Sequence, residues 1–165
     1  MFIGESVNHP GIRLIVFKSY MKKALEEAKS AAARGEIPVG AVIVSSAGEV
    51  IAQASNRTRE LYDPSAHAEM LAIRAACARL GQERLDGYDL YVTLEPCAMC
   101  AGVIAAARIR RLYYGASDTK SGGVDQGARV FQHAQSHHAP EVYSGIGERD
   151  ASQILRIFFE KLRGE

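Results

Sequence analysis

Apolar residues along the chain follow helical spacing in some stretches and strand-like spacing in others. From Arg13, apolar and small residues recur at intervals of three and four up to Gly35, which predicts a first helix. Residues 37–56 form two β-rich runs around a Ser-Ser-Ala-Gly turn, a pattern typical of a hairpin. Pro38 and Gly40 at its start indicate either an edge strand or the close approach of another backbone.

The remaining pattern alternates helices with strands. The predicted elements are a helix from His67 to Gly81, a strand at 88–95, a helix from Cys97 to about Ala107, a strand at 108–116, a loop at 117–139 with one helical turn near 128–131, a short strand at 140–145 and a helix from Glu148 to Leu162. Such alternation requires a sheet that is covered on both faces, and the hairpin makes that sheet mixed. We therefore expect an α/β fold: a three-layer α/β/α domain with a central mixed sheet of about five strands.

Length and composition limit the function classes. With 165 residues the chain suits one domain, and its formal net charge of +1 gives no overall nucleic-acid footprint, so any basic surface must be local. The apolar run at residues 14–17 is far too short to span a membrane, and we expect no membrane partner. Three cysteines, an odd number with one close pair, favour a metal or redox site in the cytoplasm over a disulfide framework.

The close pair of cysteines carries the first chemical signal. Cys97 and Cys100 directly follow a predicted strand, with Pro96 in front of them. At the start of a helix, positions three apart share a face, and the positive end of the helix dipole favours thiolates. Two thiolates are half of a tetrahedral zinc site, so a third ligand is needed.

His67 is the histidine best placed to supply that ligand. It too lies at a junction between a turn and a helix, and such junctions gather at one edge of an α/β sheet. Glu69 follows two positions later, and at the first turn of a helix both side chains can reach one cavity. His67, Cys97 and Cys100 would leave a fourth zinc position open to water, with Glu69 as the group that moves the proton.

Two other interpretations of the cysteine pair remain open at this point. The pair could be a redox dithiol, which would leave His67 and Glu69 without a role. It could also belong to a purely structural zinc site completed by a histidine of the late loop: His133, His137 or His138. Cys77 lies in the middle of a predicted helix and is expected to be an inert core residue.

The sequence resembles a known family. The pattern H-x-E followed by P-C-x-x-C, present here as "HAE" and "PCAMC", is that of the zinc-dependent cytidine and deoxycytidylate deaminase superfamily. The stretches "GEIPVGAVIV", "SNRTRE", "DPSAHAEM", "LYVTLEPCAMCAGVI" and "YYGASDTKSGG" resemble the tRNA-specific adenosine deaminases in particular. The likeness leaves out the start of the chain, so we expect an N-terminal extension at residues 1–18 and a deaminase domain at residues 19–165.

This resemblance implies roles for individual residues. His67, Cys97 and Cys100 match the ligands of one Zn²⁺ per chain, and Glu69 matches the proton shuttle. The positions that match substrate-binding residues are Asn56 at the target nucleoside, Ala66, Val39 and Pro38 around the base, Asp118 near the RNA backbone, and Phe159 of the pair Phe158-Phe159 beside the anticodon loop. The resemblance also implies a homodimer.

The chain departs from the family in its positive charge. Its last helix offers Lys161 and Arg163 where a run of arginines is frequent. A basic cluster could supply part of the hold on RNA, although a solvated or dimer-facing role is about equally expected for its arginines; its members are Arg108, Arg110, Arg111, Lys120 and Arg129.

These residues are compatible with three functions. The first is conversion of adenosine to inosine at the wobble position of a tRNA anticodon loop. The second is deamination of a free nucleobase or nucleoside, such as guanine, cytosine or a derivative, by the same zinc chemistry. The third is a non-catalytic zinc-stabilised module, which Glu69 argues against because a structural site needs no such carboxylate.

Overall fold

The architecture comes from a computed structural model that describes residues 17–164. The helices are α1 (Met21–Ala33), α2 (Ala68–Leu80), α3 (Ala98–Ala106) and α4 (Glu148–Arg163), with one short 3-10 helix at Val130–Gln132. The strands are β1 (Gly40–Val44), β2 (Val50–Ser55), β3 (Asp89–Leu94), β4 (Arg111–Ala116) and β5 (Glu141–Tyr143). The predicted order of elements is confirmed.

The five strands form one mixed sheet in the order β2-β1-β3-β4-β5. β1 is antiparallel to both β2 and β3, whereas β3, β4 and β5 run parallel. Since β1 lies inside the sheet, the edge-strand interpretation of Pro38 and Gly40 is wrong. The close approach is confirmed, because a Cβ on Gly40 would lie 1.9 Å from the Ala24 carbonyl oxygen of α1.

Two apolar clusters show how the layers are held together. Ala41 and Ile43 of β1 pack in a cluster with α2 and α3, whereas Val42 and Val44 pack in a second cluster with α1 and α4. This division follows from the alternation of side chains along a strand. Helices therefore cover both faces of the sheet, and the three-layer α/β/α prediction is confirmed.

The first helix begins later than predicted. Residues 13–16 lie outside the described part of the chain, residues 17–20 are not helical, and α1 starts at Met21. The Tyr20 hydroxyl donates a hydrogen bond to the Gly48 carbonyl, and the Tyr20 ring packs edge-on against Tyr91. Aromatic contacts with the sheet thus hold a segment whose apolar spacing alone resembles helix.

The fourth strand is also shorter at its start than predicted. Arg108 adopts a left-handed backbone with a φ of 60°, and the Ile109 N–H donates to the Ile104 carbonyl at the end of α3. These residues close α3 and turn the chain, so β4 begins only at Arg111.

The topology brings the ends of two strands and two helices together. The carboxyl ends of β3 and β4 meet the amino-terminal ends of α2 and α3 at one edge of the sheet, where ligands bind in open α/β folds. Among residues 17–164, no helix is long and apolar enough to cross a membrane.

Candidate active site

His67 and Glu69 reach one cavity because they do not share a helical backbone. His67 is the N-terminal capping residue of α2 and has an extended conformation, with φ −72° and ψ 152°. Glu69 lies in the first helical turn, and both residues line the same cavity. The rotation that separates positions two apart on a helix therefore does not apply to this pair.

The two cysteines occupy the equivalent place on α3. Cys97 caps the helix with an extended backbone, and Cys100 lies one turn later, fully buried. The His67 Nδ1 atom is 3.6 Å from the Cys97 sulfur and 3.5 Å from the Cys100 sulfur. The prediction that these three residues come together is confirmed.

The donor set fits zinc. The three ligand atoms lie within 4.8 Å of one another, and two sulfurs with one imidazole nitrogen match the ligand types of tetrahedral zinc sites. His67 is the histidine of this group; in the described region His133 and His137 line a crevice beside α3, and His138 contacts the Ile109 carbonyl. A structural zinc site completed by a late-loop histidine is therefore not what the chain forms.

The pKa values of the two thiols are shifted in opposite directions. The hydrogen bond from Cys100 lowers the pKa of Cys97 to about 4, and the same bond raises the pKa of Cys100. The hydrogen bond with Cys97 raises the pKa of His67. Cys97 is therefore a thiolate near neutral pH, which prepares the site for a cation.

Glu69 is buried beside these ligands and is not one of them. Burial raises its pKa to about 7, because a carboxylate without water around it is costly, although its own backbone N–H and His67 act in the opposite direction. A carboxyl group with a pKa near neutrality can both accept and release a proton, as a general acid–base group must.

A cavity of about 200 Å³ lies above the ligands. It is smaller than most pockets for drug-sized ligands, which suits a single nucleobase. Of the predicted substrate-binding residues, Val39, Asn56 and Asp118 line it. One Asp118 oxygen accepts hydrogen bonds from the backbone N–H groups of Lys120 and Ser121, so this carboxylate also shapes its own loop.

The other predicted substrate-binding residues do not line the cavity. Pro38 and Ala66 are fully buried. Phe158 is buried, whereas Phe159 is 40% exposed on α4 and meets Phe158 edge-on. One aromatic residue of the pair thus packs inward while the other faces solvent.

Sequence reasoning missed two buried carboxylates at this site. Glu95 accepts four backbone hydrogen bonds from residues 118–126, and Glu36 accepts hydrogen bonds from three groups of residues 56–60. Glu95 directly precedes Pro96 and Glu36 lies two residues before Pro38, each in a largely apolar stretch, "TLEPC" and "GEIPVG". A charge in such a stretch indicates a buried group with partners and could have revealed them.

Comparison with known proteins gives the family. A model described as the cytidine and deoxycytidylate deaminase zinc-binding region matches residues 16–116. A tRNA-specific adenosine deaminase of Agrobacterium fabrum is 59% identical over 144 residues, covering 87% of this chain and 94% of that protein. The chain belongs to the tRNA-specific adenosine deaminase family. Its relative from Bacillus subtilis is 45% identical over 144 residues, covering 87% of this chain and 89% of that protein.

Solved structures agree with this family. A structure from a study of A-to-I editing by tRNA A34 deaminases has 60% identity and a TM-score of 0.81, covering 82% of this chain and 98% of that one. The guanine deaminase of Bacillus subtilis has 31% identity and a TM-score of 0.60, covering 88% of this chain and 92% of that one. The deaminase is a zinc-dependent hydrolase, and the redox interpretation of its cysteines is set aside.

Proposed function

We propose that this deaminase converts adenosine to inosine at the wobble position of a tRNA anticodon. The observation that carries the proposal is the likeness to tRNA-specific deaminases over nearly their full length, at 59% and 60% identity. The structurally similar guanine deaminase, which represents the free-base alternative, has 31% sequence identity to this chain.

The site supplies the groups that hydrolytic deamination needs. His67, Cys97 and Cys100 would hold the zinc ion, which would supply a Lewis acid that lowers the pKa of a water molecule toward about 7. Glu69 takes one proton from the attacking water and gives it to the ring nitrogen. It then takes the second proton of that water from the newly formed hydroxyl group and gives it to the departing amine. One water is consumed, inosine forms and ammonia leaves, so Glu69 ends in its starting state.

Substrate contacts follow from the walls of the cavity. Asn56 and Val39 line the cavity and would contact the target base, and the buried residues Pro38 and Ala66 would help to shape the pocket. Asp118 stands at the mouth, toward the RNA backbone. A wobble base is already in a single-stranded loop and enters such a cavity at a low unstacking cost.

Two arginines of the predicted basic cluster are engaged in ion pairs. Arg110 pairs with Asp89 and Arg111 pairs with Glu141, each at 2.9 Å, at the start of β4 and far from the cavity end of that strand. Lys120, in the loop of Asp118, and Arg163, in the last turn of α4, would contact the phosphates. These two supply the cationic hold on RNA.

The chain functions as a homodimer, and α3 is the surface that supports this proposal. This helix carries no charged residue, and its outer face exposes Ala98, Met99, Gly102 and Ala106. An uncharged face of small side chains allows close packing of two copies. Sedimentation should show a dimer, and Gly102→Arg should produce a monomer; a monomeric wild type would contradict the interface.

The remaining parts of the proposal concern the chain as a whole. Residues 19–165 form the deaminase domain and residues 1–18 an extension. A cytoplasmic location agrees with a tRNA substrate and with three free cysteines.

One assay tests the function directly. Purified protein is given an anticodon stem-loop with adenosine at the wobble position, the same stem-loop with adenosine displaced by one nucleotide, and free adenosine, guanine and cytosine. We expect inosine in the first substrate alone. Brisk turnover of a free base without reaction of the stem-loop would favour the free-base deaminase instead.

A further inference from the structure

Glu36 is a buried carboxylate that the proposed mechanism does not use. It follows α1, and only 1% of it is exposed. Its Oε1 atom accepts a hydrogen bond of 2.8 Å from the Glu60 backbone N–H. Its Oε2 atom accepts hydrogen bonds of 3.4 Å from the Asn56 side-chain amide and from the Thr58 hydroxyl.

These contacts determine the orientation of the Asn56 side-chain amide. A carboxylate offers only acceptors, so the Asn56 side chain must turn its nitrogen, Nδ2, toward Glu36. Within residues 17–164 no hydrogen bond engages the Asn56 Oδ1 oxygen, and that oxygen is not an enclosed, unpaired atom. Asn56 lines the cavity, so Oδ1 is left to face it.

We propose that Glu36 is a positioning residue that locks the Asn56 amide with its oxygen toward the cavity, as a fixed acceptor for an N–H or O–H group of the target nucleoside. This inference rests on the proposed contact between Asn56 and substrate. Glu36 itself does not touch the substrate.

The substitution Glu36→Gln tests the lock with little change in shape. The shorter hydrogen bond, to the Glu60 N–H, keeps the glutamine oxygen on that side. The glutamine nitrogen then faces Asn56 Nδ2, two donors oppose each other, and the Asn56 amide turns over. Because an unmatched polar group of this kind is costly, we expect kcat/KM on the stem-loop to fall about 5- to 150-fold, with zinc content unchanged.

A reciprocal exchange separates this role from general support of the fold. Asn56→Asp alone places two carboxylates face to face and should be poorly active. Combined with Glu36→Gln, it restores a donor–acceptor pair of reversed polarity and still presents an oxygen to the cavity. We expect the double variant to recover most of the kcat/KM lost in Glu36→Gln.

Controls keep the outcomes distinct. Glu49→Gln removes an exposed carboxylate that pairs with Arg79 and lies in the turn between β1 and β2, and it should leave kcat/KM unchanged. Glu36→Gln should also lose little further activity in an Asn56→Ala background. All rates are compared at a temperature at which circular dichroism shows every variant folded.

Three results would overturn the inference: wild-type kcat/KM in Glu36→Gln, equal losses from Glu36→Gln with and without Asn56, or no recovery in the reciprocal exchange. An inactive wild type on the stem-loop would instead refute the proposed function. A harmless Asn56→Ala would refute the contact between Asn56 and substrate, and the inference with it.

Discussion

Glu69 combines burial with a place beside the metal ligands. A carboxylate enclosed by protein is costly unless it has partners or a function, and the pKa near 7 reflects that cost. His67, two residues earlier, leaves the helical path and turns its Nδ1 atom to the thiols instead. Metal binding and proton transfer are thus assigned to separate side chains and can be separated by mutation.

Glu69→Gln should keep about one zinc per chain and lose deamination. The variant retains all three ligands, and general acid–base groups typically contribute on the order of 100- to 10,000-fold to a rate. Elemental analysis and single-turnover deamination of the stem-loop measure the two effects. A nearly normal rate would mean that another group transfers the proton.

Cys97→Ser and Cys100→Ser should each lose zinc and activity together, because each removes one of the two thiolates of the site. Cys77→Ser is the matched control: Cys77 contacts the Glu83 carbonyl at 3.7 Å and is not part of the ligand group, so zinc and activity should remain. Full zinc content in either ligand variant would contradict the assignment.

At the scale of elements, the side chain of Glu95 anchors the loop of residues 117–126. Both Glu95 oxygens accept backbone hydrogen bonds of 3.0–3.2 Å from that loop, and Gly123 donates to the Pro96 carbonyl. The loop that carries Asp118 is therefore fixed to the end of β3, directly before Cys97. Glu95 therefore supports both the metal site and the wall of the cavity.

Glu95→Gln should loosen that loop. Its amide would direct an N–H₂ group at backbone donors, so we expect the free energy of unfolding to fall by about 1–3 kcal/mol. Denaturant unfolding and faster amide exchange at residues 124–126 would report the change. Glu83→Gln, at an exposed carboxylate, should change neither; equal stability of the two variants would contradict the anchor.

Gly40→Ala should separate α1 from β1. The added Cβ would meet backbone atoms of Ala24 and Ala28, which cannot swing aside, so we expect a loss of about 3 kcal/mol in the free energy of unfolding. Gly35→Asn is the comparison, because Gly35 has a positive φ and open space, which asparagine tolerates at a cost below about 1 kcal/mol. Equal losses would contradict the packing argument.

At the scale of the whole molecule, we expect residues at the end of α4 to contribute to RNA affinity. Phe159 is exposed, and base–aromatic stacking contributes roughly 1–3 kcal/mol, so Phe159→Ala should weaken stem-loop binding about 5- to 150-fold while the protein stays folded. Arg163→Ala should also weaken stem-loop binding, and it should reduce the slope of log affinity against log salt concentration by about one. Binding is measured at two salt concentrations.

Leu162→Ala is the control for Phe159→Ala, because Leu162 is equally exposed at 41% and has no aromatic ring. It should leave RNA binding nearly unchanged. Wild-type affinity in Phe159→Ala would show that the residue has no contact with the anticodon loop.

The sequence by itself determined the element types and the metal ligands. Apolar periodicity reports which face of a segment is buried, and that is a local property of the chain. His67, Cys97 and Cys100 were found because each sits at the start of a helix, next to residues with turn chemistry, and Glu69 because it shares a motif with His67.

Only the tertiary structure decided which distant groups become partners. Several interactions join residues about 20 or more positions apart. They are the Tyr20–Gly48 hydrogen bond before α1, the ion pairs of Arg110 and Arg111, and the hydrogen bonds of Glu36 and Glu95. No local spacing records such pairs, because they form only when the sheet order and the helix layers bring separate segments together. For that reason the ligands of the site are predictable from the sequence, whereas the hydrogen-bond partners of the carboxylates that support it are not.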